Sequence, residues 1–261
     1  MNYITNKEST KLNTRKIRNH KKKATQKSLQ MLTCYDFQTA QLLNETNLDL
    51  ILVGDSLGNV ILGLENTIEV TLETMSLFSK AVKKGAPNKF VIADLPFGTY
   101  SCMEIALKSA TELFQKSNVE ALKLEGAFPF QIEIIKRLTQ IGIPIMGHIG
   151  LTPQSVHEQG GYFTHGKNQE SKIKLIEEAK ALELAGCFAI VLECIESDLA
   201  TEITNLLKIP TIGIGSGVNT DGQVLVINDL FHLGKSTPPK FCTPIANFYE
   251  LKKQLLNDYL K

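Results

Sequence analysis

The chain lacks the features that mark secreted, membrane-spanning and disulfide-rich proteins. No apolar run approaches the roughly 18 residues that a transmembrane helix requires, and the first residues contain no apolar segment typical of a secretory signal. Cysteine is scarce: the five cysteines are odd in number, widely spaced and without a C-x-x-C pair. This pattern predicts free thiols in a reducing cytoplasm rather than a disulfide framework or a zinc site.

Net charge is also nearly absent, at +1 for 261 residues, but the two signs are unevenly distributed. Residues 1–30 contain nine basic side chains and one acid, whereas residues 31–261 contain 19 basic and 26 acidic side chains. The sequence therefore predicts a short basic N-terminal arm over residues 1–30, joined to an acidic body. An organelle transit peptide and a nucleic-acid-binding arm are the alternatives. The lysine bias, the weak amphipathicity and the absence of interleaved aromatic residues count against both, so we predict neither nucleic-acid nor membrane partners.

The remainder of the chain repeats one pattern, in which a short apolar run is followed by a polar turn and an amphipathic stretch. Almost continuous apolar character is typical of strands buried on both faces of a parallel sheet. The predicted strands are Met31–Tyr35, Leu48–Gly54, Phe90–Leu95, Ala121–Leu124, Ile143–His148, Phe188–Leu192, Thr211–Ile214 and Lys240–Thr243. Amphipathic helices are predicted between them, for example over Cys102–Lys116 and over Ser171–Ala185, which Gly186 ends.

Eight strand–helix units in about 230 residues are typical of a (β/α)8 TIM barrel. We therefore predict an α/β protein in which residues 31–261 form a single catalytic barrel behind the arm. A doubly wound sheet is the alternative, but it would usually contain fewer units and a glycine-rich first turn.

Polar side chains close most of the apolar runs, at the strand ends where a TIM barrel places its active site. They are Tyr35, Asp36, Asp55, Ser56, Asp94, Lys123, Glu125, His148 and Glu193. Asp36 has an alternative explanation, because an acid after a strand is often the N-cap of the next helix. So many polar groups at one mouth are harder to explain by capping alone.

Three of these side chains, Asp55, Asp94 and Glu125, would form a cluster of hard oxygen donors that suits Mg²⁺ rather than Zn²⁺. Without a cation, the carboxylates would repel one another and one would stay protonated. Lys123 lies two residues before Glu125, so on a strand both side chains point to the same face. It could neutralise a substrate carboxylate or a developing enolate oxygen, and a simple ion pair with Glu125 is the alternative.

Nine short segments, in order along almost the whole barrel, resemble the ketopantoate hydroxymethyltransferase family. The segments are Val53–Gly58, Gly85–Asn88, Ala93–Gly98, Lys123–Gly126, Gly147–Ser155, Gly160–Tyr162, Leu192–Cys194, Ile212–Gly217 and Asp221–Gln223. The resemblance implies transfer of a one-carbon unit from the co-substrate 5,10-methylenetetrahydrofolate to the small molecule 3-methyl-2-oxobutanoate. The product would be 2-dehydropantoate, for pantothenate and coenzyme A synthesis. The resemblance also implies one Mg²⁺ per subunit and a homodecamer.

The resemblance implies roles for individual side chains as well. Asp55, Asp94 and Glu125 match the metal-site acids. Asp55, Ser56, Asp94 and Lys123 match substrate-binding positions. Glu193 matches the proton acceptor, and His148 matches an active-site histidine for which a structural hydrogen-bonding role is the alternative. The segment around His165 is less typical of the family, and we expect His165 to lie in a surface loop without a role.

Two other functions remain open at this stage. A Mg²⁺-dependent enzyme that makes or breaks C–C bonds of 2-oxo acids, of the phosphoenolpyruvate mutase/isocitrate lyase type, would use the same carboxylate chemistry. A GDSL-type esterase would use Ser56 within Gly54–Leu57 as a nucleophile, with Asp229 and His232 as partners. The esterase does not explain Asp94, Glu125 or the segment around His148.

Overall fold

In the computed structural model, the described residues, 11–21 and 27–261, form a closed barrel of eight parallel strands in sequential order. Residues 1–10 and 22–26 of the predicted arm lie outside the described residues. The strands are β1 (Leu29–Thr33), β2 (Leu50–Val53), β3 (Phe90–Asp94), β4 (Ala121–Glu125), β5 (Ile145–Gly150), β6 (Ala189–Glu193), β7 (Thr211–Ile214) and β8 (Gly222–Leu225). The barrel closes where β8 pairs with β1.

Helices surround the barrel and close its lower end. They are α1 (Thr14–Arg18), α2 (Phe37–Asn44), α3 (Leu57–Val60), α4 (Leu72–Gly85), α5 (Met103–Ser117), α6 (Pro129–Gln140), α7 (Val156–Gln159), α8 (Gln169–Ala185), α9 (Ser197–Leu206), α10 (Ile227–Leu230) and α11 (Phe248–Tyr259). Their ends follow the predicted signals: the Asp36 carboxylate accepts a hydrogen bond from the Thr39 amide and caps α2, and α8 ends at Gly186 in a left-handed conformation. Among the described residues, every helix is too short or too polar to span a bilayer.

The predicted TIM barrel is confirmed, and seven of the eight predicted strands overlap strands of the structure. The eighth prediction was wrong, because Lys240–Thr243 forms a turn and β8 lies earlier, at Gly222–Leu225. Only two residues of β8 are buried, so it lacks the continuous apolar run on which the prediction depended. Gly222 permits its close approach to β1, since a Cβ at this position would lie 2.8 Å from the Leu29 carbonyl oxygen.

Apolar side chains fill the lower half of the barrel, so that polar chemistry is confined to the upper half. Phe90 and Phe188 meet edge to face inside the barrel, with ring centroids 5.7 Å apart. Ile17 of α1 is fully buried in the same cluster and closes the barrel from below. On β4, Lys123 and Glu125 continue the inward side of the strand above Ala121.

The described part of the basic arm is anchored to the bottom of the barrel. The Arg18 guanidinium donates to the Gly186 carbonyl oxygen at 2.8 Å, and the Lys21 ammonium lies 2.7 Å from the Asp221 carboxylate. Strand β1 begins at Leu29, so the last two residues of the predicted arm belong to the barrel. The arm therefore positions basic side chains far from the strand ends at which the polar residues meet.

Candidate active site

The seven predicted site residues all line one cavity of about 80 Å³ at the carboxyl ends of the strands. They are Asp55, Ser56, Asp94, Lys123, Glu125, His148 and Glu193. Strand register explains why residues far apart in sequence meet here: Asp94 lies beside Lys123, and Glu125 beside His148. The structure thus brings these seven side chains together, whereas Asp36 serves as the cap of α2.

Lys123 is a buried cation among carboxylates. Its Nζ lies 2.9 Å from Asp94 Oδ1 and 3.6 Å from Glu125 Oε1, and its side chain is only 4% exposed. Burial disfavours the charged ammonium, but Asp94, Glu125 and Asp55 outweigh burial and raise the pKa of Lys123. Lys123 therefore stays protonated and supplies a permanent positive charge at the floor of the cavity.

His148 connects two carboxylates. Its Nδ1 lies 3.3 Å from Glu125 Oε1, and its Nε2 lies 3.1 Å from Glu193 Oε2. Burial and Lys123 lower the pKa of His148, but hydrogen bonds and charge from Glu125 and Glu193 outweigh them and raise it to about 9. Both ring nitrogens of His148 therefore face carboxylates, and the Lys123 ammonium lies 3.2 Å from the same Nδ1.

The surroundings of Asp55 favour its neutral form, whereas those of Lys123 and His148 favour their charged forms. Burial raises the pKa of Asp55 to about 8, and the negative charges of Glu125 and Asp94 add to the effect. Its Oδ2 accepts a hydrogen bond from Gln154 Nε2 at 2.9 Å, and its amide donates to Asp94 Oδ2 at 3.0 Å. The group of acids is thus short of positive charge on the side of Asp55, away from Lys123.

Sequence reasoning missed two residues that order these acids, Gln154 and Tyr100. The Gln154 side-chain Nε2 donates to Asp55 and to the Leu95 carbonyl oxygen, and its Oε1 accepts from the Tyr100 hydroxyl. The backbone amide of Gln154 donates to Glu125 Oε2. Gln154 lies in the Gly147–Ser155 segment that resembles the family, which was the available signal. Because Gln154 lies four residues beyond the end of β5, it was not among the strand-end residues from which the site was predicted.

Ser56 lies at the more open side of the cavity, where its Oγ is 2.8 Å from the Tyr35 hydroxyl. In this contact Ser56 is paired with a phenol, whereas the cavity histidine, His148, contacts Glu125 and Glu193. The arrangement positions the Ser56 hydroxyl as a hydrogen-bonding group. It does not present the serine–histidine pair that an esterase requires.

The backbone around Glu193 is unusually constrained. Cys194 has a φ of 49°, a left-handed conformation that a side chain other than glycine seldom adopts. Gly150 faces Glu193 across the strand pair, and a Cβ at Gly150 would lie 2.2 Å from the Glu193 carbonyl oxygen. Such local strain is concentrated at functional sites, where the surrounding structure fixes one side-chain direction.

His165 lies in the loop after α7, as predicted, but contacts hold it in place there. His165 is not a free surface residue: its amide donates to the Cys194 carbonyl oxygen at 2.7 Å, and its ring stacks on Phe163 with centroids 4.4 Å apart. Tyr162 of the same loop is near enough to feel the charges of Glu193 and Asp55, which reinforce the effect of burial in raising its pKa. The loop therefore lies over the active-site mouth.

The oxygen donors of the cavity fit a hard divalent cation. Asp55 and Asp94 are adjacent carboxylates without enough positive charge, which is the donor set that Mg²⁺ prefers. In the described residues, no three His, Cys, Asp or Glu side chains already form a metal-binding cluster. Glu125 instead contacts Lys123 and His148. The fit therefore rests most directly on Asp55 and Asp94.

Comparisons with known proteins agree with this geometry. A sequence model described as ketopantoate hydroxymethyltransferase matches residues 11–261. The chain is 46% identical to a 3-methyl-2-oxobutanoate hydroxymethyltransferase of Leptospira interrogans over 95% of this chain and 94% of the relative. It is 48% identical to the enzyme of that name from Geobacillus sp. over 88% of this chain and 82% of the relative.

Solved structures show the same fold at much lower identity. A phosphoenolpyruvate phosphomutase from Streptomyces platensis subsp. rosaceus superposes with a TM-score of 0.58 at 11% identity, over 90% of this chain and 82% of that chain. A phosphonopyruvate hydrolase, in complex with oxalate and Mg²⁺, superposes with a TM-score of 0.59 at 11% identity, over 77% of this chain and 76% of that chain. The chain belongs to the ketopantoate hydroxymethyltransferase family.

Proposed function

We propose that the protein is a 3-methyl-2-oxobutanoate hydroxymethyltransferase, which transfers a one-carbon unit from 5,10-methylenetetrahydrofolate to the keto acid and forms 2-dehydropantoate for pantothenate synthesis. The observation that best supports this proposal is the contact of Glu193 with His148, which lies beside the buried Lys123. A carboxylate base thus lines the same small cavity as a buried cation, as removal of a proton next to a carbonyl requires.

The keto acid has two polar ends for which the cavity offers partners. Ser56, fixed by the Tyr35 hydroxyl, would donate to the substrate carboxylate. The Lys123 ammonium would stabilise negative charge that develops on the keto oxygen during proton removal, because a buried cation interacts strongly with a charge that forms nearby. The apolar side chains of Leu52, Val191 and Ile214 also line the cavity and suit a branched alkyl group.

Asp55 and Asp94 would hold a divalent cation, with Glu125 as the third acid of the site. When bound, such a cation polarises the carboxylate and keto oxygens of a 2-oxo acid and makes the adjacent C–H more acidic. Asp55 would gain most from it, because in the structure burial and neighbouring acids disfavour its ionised form. Gln154 keeps the Asp55 carboxylate oriented through a hydrogen bond of 2.9 Å.

Glu193 would accept the C3 proton of the keto acid. Its side chain is 17% exposed, at the open side of the cavity from which a second substrate can approach. The resulting carbon nucleophile forms a C–C bond to the folate-borne methylene as one of its two C–N bonds breaks, and the departing nitrogen takes the proton from Glu193. Water then replaces the second nitrogen, and tetrahydrofolate leaves. The reaction consumes one water molecule and regenerates the Glu193 carboxylate, so the chain needs no serine or cysteine nucleophile.

We also propose that the chain works as a homo-oligomer. The expected form is the homodecamer that the family resemblance implies. Helix α11 supports association, because none of its residues is buried and it exposes Leu251, Leu255 and Leu256, which a second copy of the chain could cover. Light scattering after size-exclusion chromatography measures the state directly. A monomer at micromolar concentration would contradict this part of the proposal.

The proposed chemistry is tested by proton exchange without folate. The protein is incubated with 3-methyl-2-oxobutanoate and Mg²⁺ in D₂O, and loss of the C3 proton signal is followed by NMR. We expect exchange in the wild type, and a fall of about 10²–10⁴-fold in Glu193→Gln, the usual contribution of a positioned base. Glu196→Gln is the matched control, since Glu196 lies three residues away and does not line the cavity.

Two results would contradict the mechanism. One is the absence of exchange in the wild type with metal present. The other is equal exchange in Glu193→Gln and in the control, which would remove Glu193 from the role of base. Formation of 2-dehydropantoate on addition of 5,10-methylenetetrahydrofolate then separates a hydroxymethyltransferase from other enzymes that enolise 2-oxo acids.

A further inference from the structure

A second cavity, of about 190 Å³, lies beside the active-site mouth, and no step described so far uses it. Its inner wall contains Gly126, which directly follows Glu125, and Gly150, which pairs with Glu193 across β5 and β6. Its outer wall is formed by Lys174 and Glu178 of α8. We call this space the side cavity. Gly126 and Gly150 continue the strands that hold Glu125 and His148, so β4 and β5 connect the two cavities.

Two polar atoms at the side cavity lack partners. His165 Nε2 and Gln159 Oε1 are both shielded from solvent, and neither has a hydrogen-bond partner among the described residues. An unsatisfied buried polar atom is costly, so a native structure usually supplies a partner for it. Gln159 is held in place from its other end, since its Nε2 donates to Thr152 Oγ1 at 2.9 Å. These atoms therefore indicate a polar ligand rather than an apolar one.

The side cavity also offers an aromatic surface and a carboxylate. The Phe128 ring borders it and is 55% exposed, with Lys174 Nζ 5.7 Å from the ring centroid. The Glu178 side chain is only 20% exposed, and its contact with Lys174 is long, at 3.8 Å. Burial raises the pKa of Glu178 despite this contact. An aromatic face next to a poorly solvated carboxylate suits a flat heterocycle that presents adjacent N–H donors.

His165 connects the side cavity with the proposed base. Burial lowers the pKa of His165, Lys174 lowers it further, and the charge of Glu193 opposes both. The ring therefore lies within electrostatic range of Lys174 on one side and of Glu193 on the other. A heterocycle in the side cavity would direct a substituent past His165 toward the position where Glu193 takes up a proton.

We propose that the side cavity binds the reduced pterin ring of the folate co-substrate, an inference that rests on the proposed function. The ring N3–H and 2-amino groups donate side by side to the Glu178 carboxylate, and the ring packs on Phe128. Gln159 and His165 pair with the remaining polar atoms of the ring. This orientation leaves the exposed Lys174 at the rim, where the glutamate carboxylates of the co-substrate leave the protein.

The test uses Glu178→Gln, which keeps the side-chain shape but removes the charge that two N–H donors require. Glu177→Gln on the same helix is the matched control, because Glu177 is exposed and does not line the side cavity. Tetrahydrofolate affinity is measured by calorimetric titration of the complete protein. KM values for both substrates and deuterium exchange of the keto acid are measured in parallel, and thermal unfolding verifies that each variant is folded.

We expect Glu178→Gln to bind tetrahydrofolate about 10- to 100-fold more weakly and to raise the KM for the methylene donor by about the same factor. This is the usual effect of removing a charge-assisted pair. The KM for the keto acid and the rate of deuterium exchange, which need no folate, should match those of the control. Equal tetrahydrofolate affinity in Glu178→Gln and Glu177→Gln would overturn the pterin assignment while leaving the proposed reaction intact. Absence of both exchange and product in the wild type would instead overturn the proposed function, and the pterin assignment with it.

Discussion

Replacement of Lys123 by methionine removes the cation from a buried group of acids while keeping an unbranched side chain of similar length. Lys123 lies 2.9 Å from Asp94 and 3.6 Å from Glu125, and all three side chains are less than 5% exposed. Loss of one partner from a buried ion pair costs about 3–5 kcal/mol, because the other charge remains buried without compensation. Each kcal/mol lowers Tm by about 2–4 °C in a chain of this size, so we expect a decrease of about 6–20 °C.

The loss should depend on pH in a defined direction. Without Lys123, the crowded carboxylates resist ionisation and their pKa values rise, so the variant takes up a proton that the wild type does not. Protonation is easier at pH 5 than at pH 8, and the decrease in Tm should therefore be smaller at pH 5. Circular dichroism melts at both pH values, with chelator present and at one protein concentration, measure the difference.

A matched control and a rescue variant sharpen this prediction. Lys116 on α5 also contacts an acid, Glu112, at 2.6 Å, but it is 61% exposed, and Lys116→Met should change Tm little. Asp94→Asn added to Lys123→Met should restore part of the lost stability, since it removes one of the unpaired charges. A Lys123→Met protein that melts within about 2 °C of the wild type at pH 8, or that loses the same amount at both pH values, would refute the reasoning.

Three further predictions concern His148, Ile17 at the floor of the barrel, and Gln154. His148→Gln should flatten the pH dependence of stability. The pKa of His148 is about 9 in the fold against 6.5 for a free histidine. Its stabilising contribution, of order 3 kcal/mol, is therefore fully present below about pH 6.5 and is lost as the pH rises through about 9. Urea unfolding at pH 6 and pH 10 measures this, and an unchanged slope would contradict the assigned charge. Ile17→Ala should cost about 2–5 kcal/mol in the urea-derived unfolding free energy, as for other buried isoleucines, whereas Ile173→Ala, on an exposed part of α8, should cost much less; equal losses would show that α1 does not stabilise the barrel. Gln154→Leu should weaken divalent-cation binding, titrated with Mn²⁺, by about 10–100-fold, and unchanged affinity would show that the Asp55 hydrogen bond is dispensable.

Much of the fold could be predicted because the barrel depends on patterns that are local in sequence. Strands β2 to β7 are almost wholly buried and mostly apolar, and such runs signal burial on both faces without any knowledge of the partners. Strand β8 is the exception, since Gly222 and Gln223 resemble a loop until β1 and β7 are in place beside them. Its identity is set by contacts distant in sequence, which a local pattern does not contain.

The candidate site divides in the same way. The side chains that close the strands could be assembled from sequence, because parallel strands of a barrel end at one rim. Gln154 and Tyr100 could not, since their positions depend on how two separate loops, after β5 and after β3, fold back over the acids. Nor could the sequence show that His165 stacks on Phe163 and faces the base, because a loop of glycines and aromatic residues has no periodicity to interpret.

The closure of the barrel has a consequence for its synthesis on the ribosome. Lys21 reaches Asp221 across 200 residues, and β1 pairs with β8 in the same region. At about 5–20 residues per second, the N-terminal segment waits about 10–40 s for these partners to be translated. During that interval β1 has an unpaired edge and the barrel floor is open, which are the surfaces that aggregate and that chaperones bind. A chain that stops before β8 retains both defects, so the cell can recognise and degrade an incomplete copy even though most of its active-site residues have already been made.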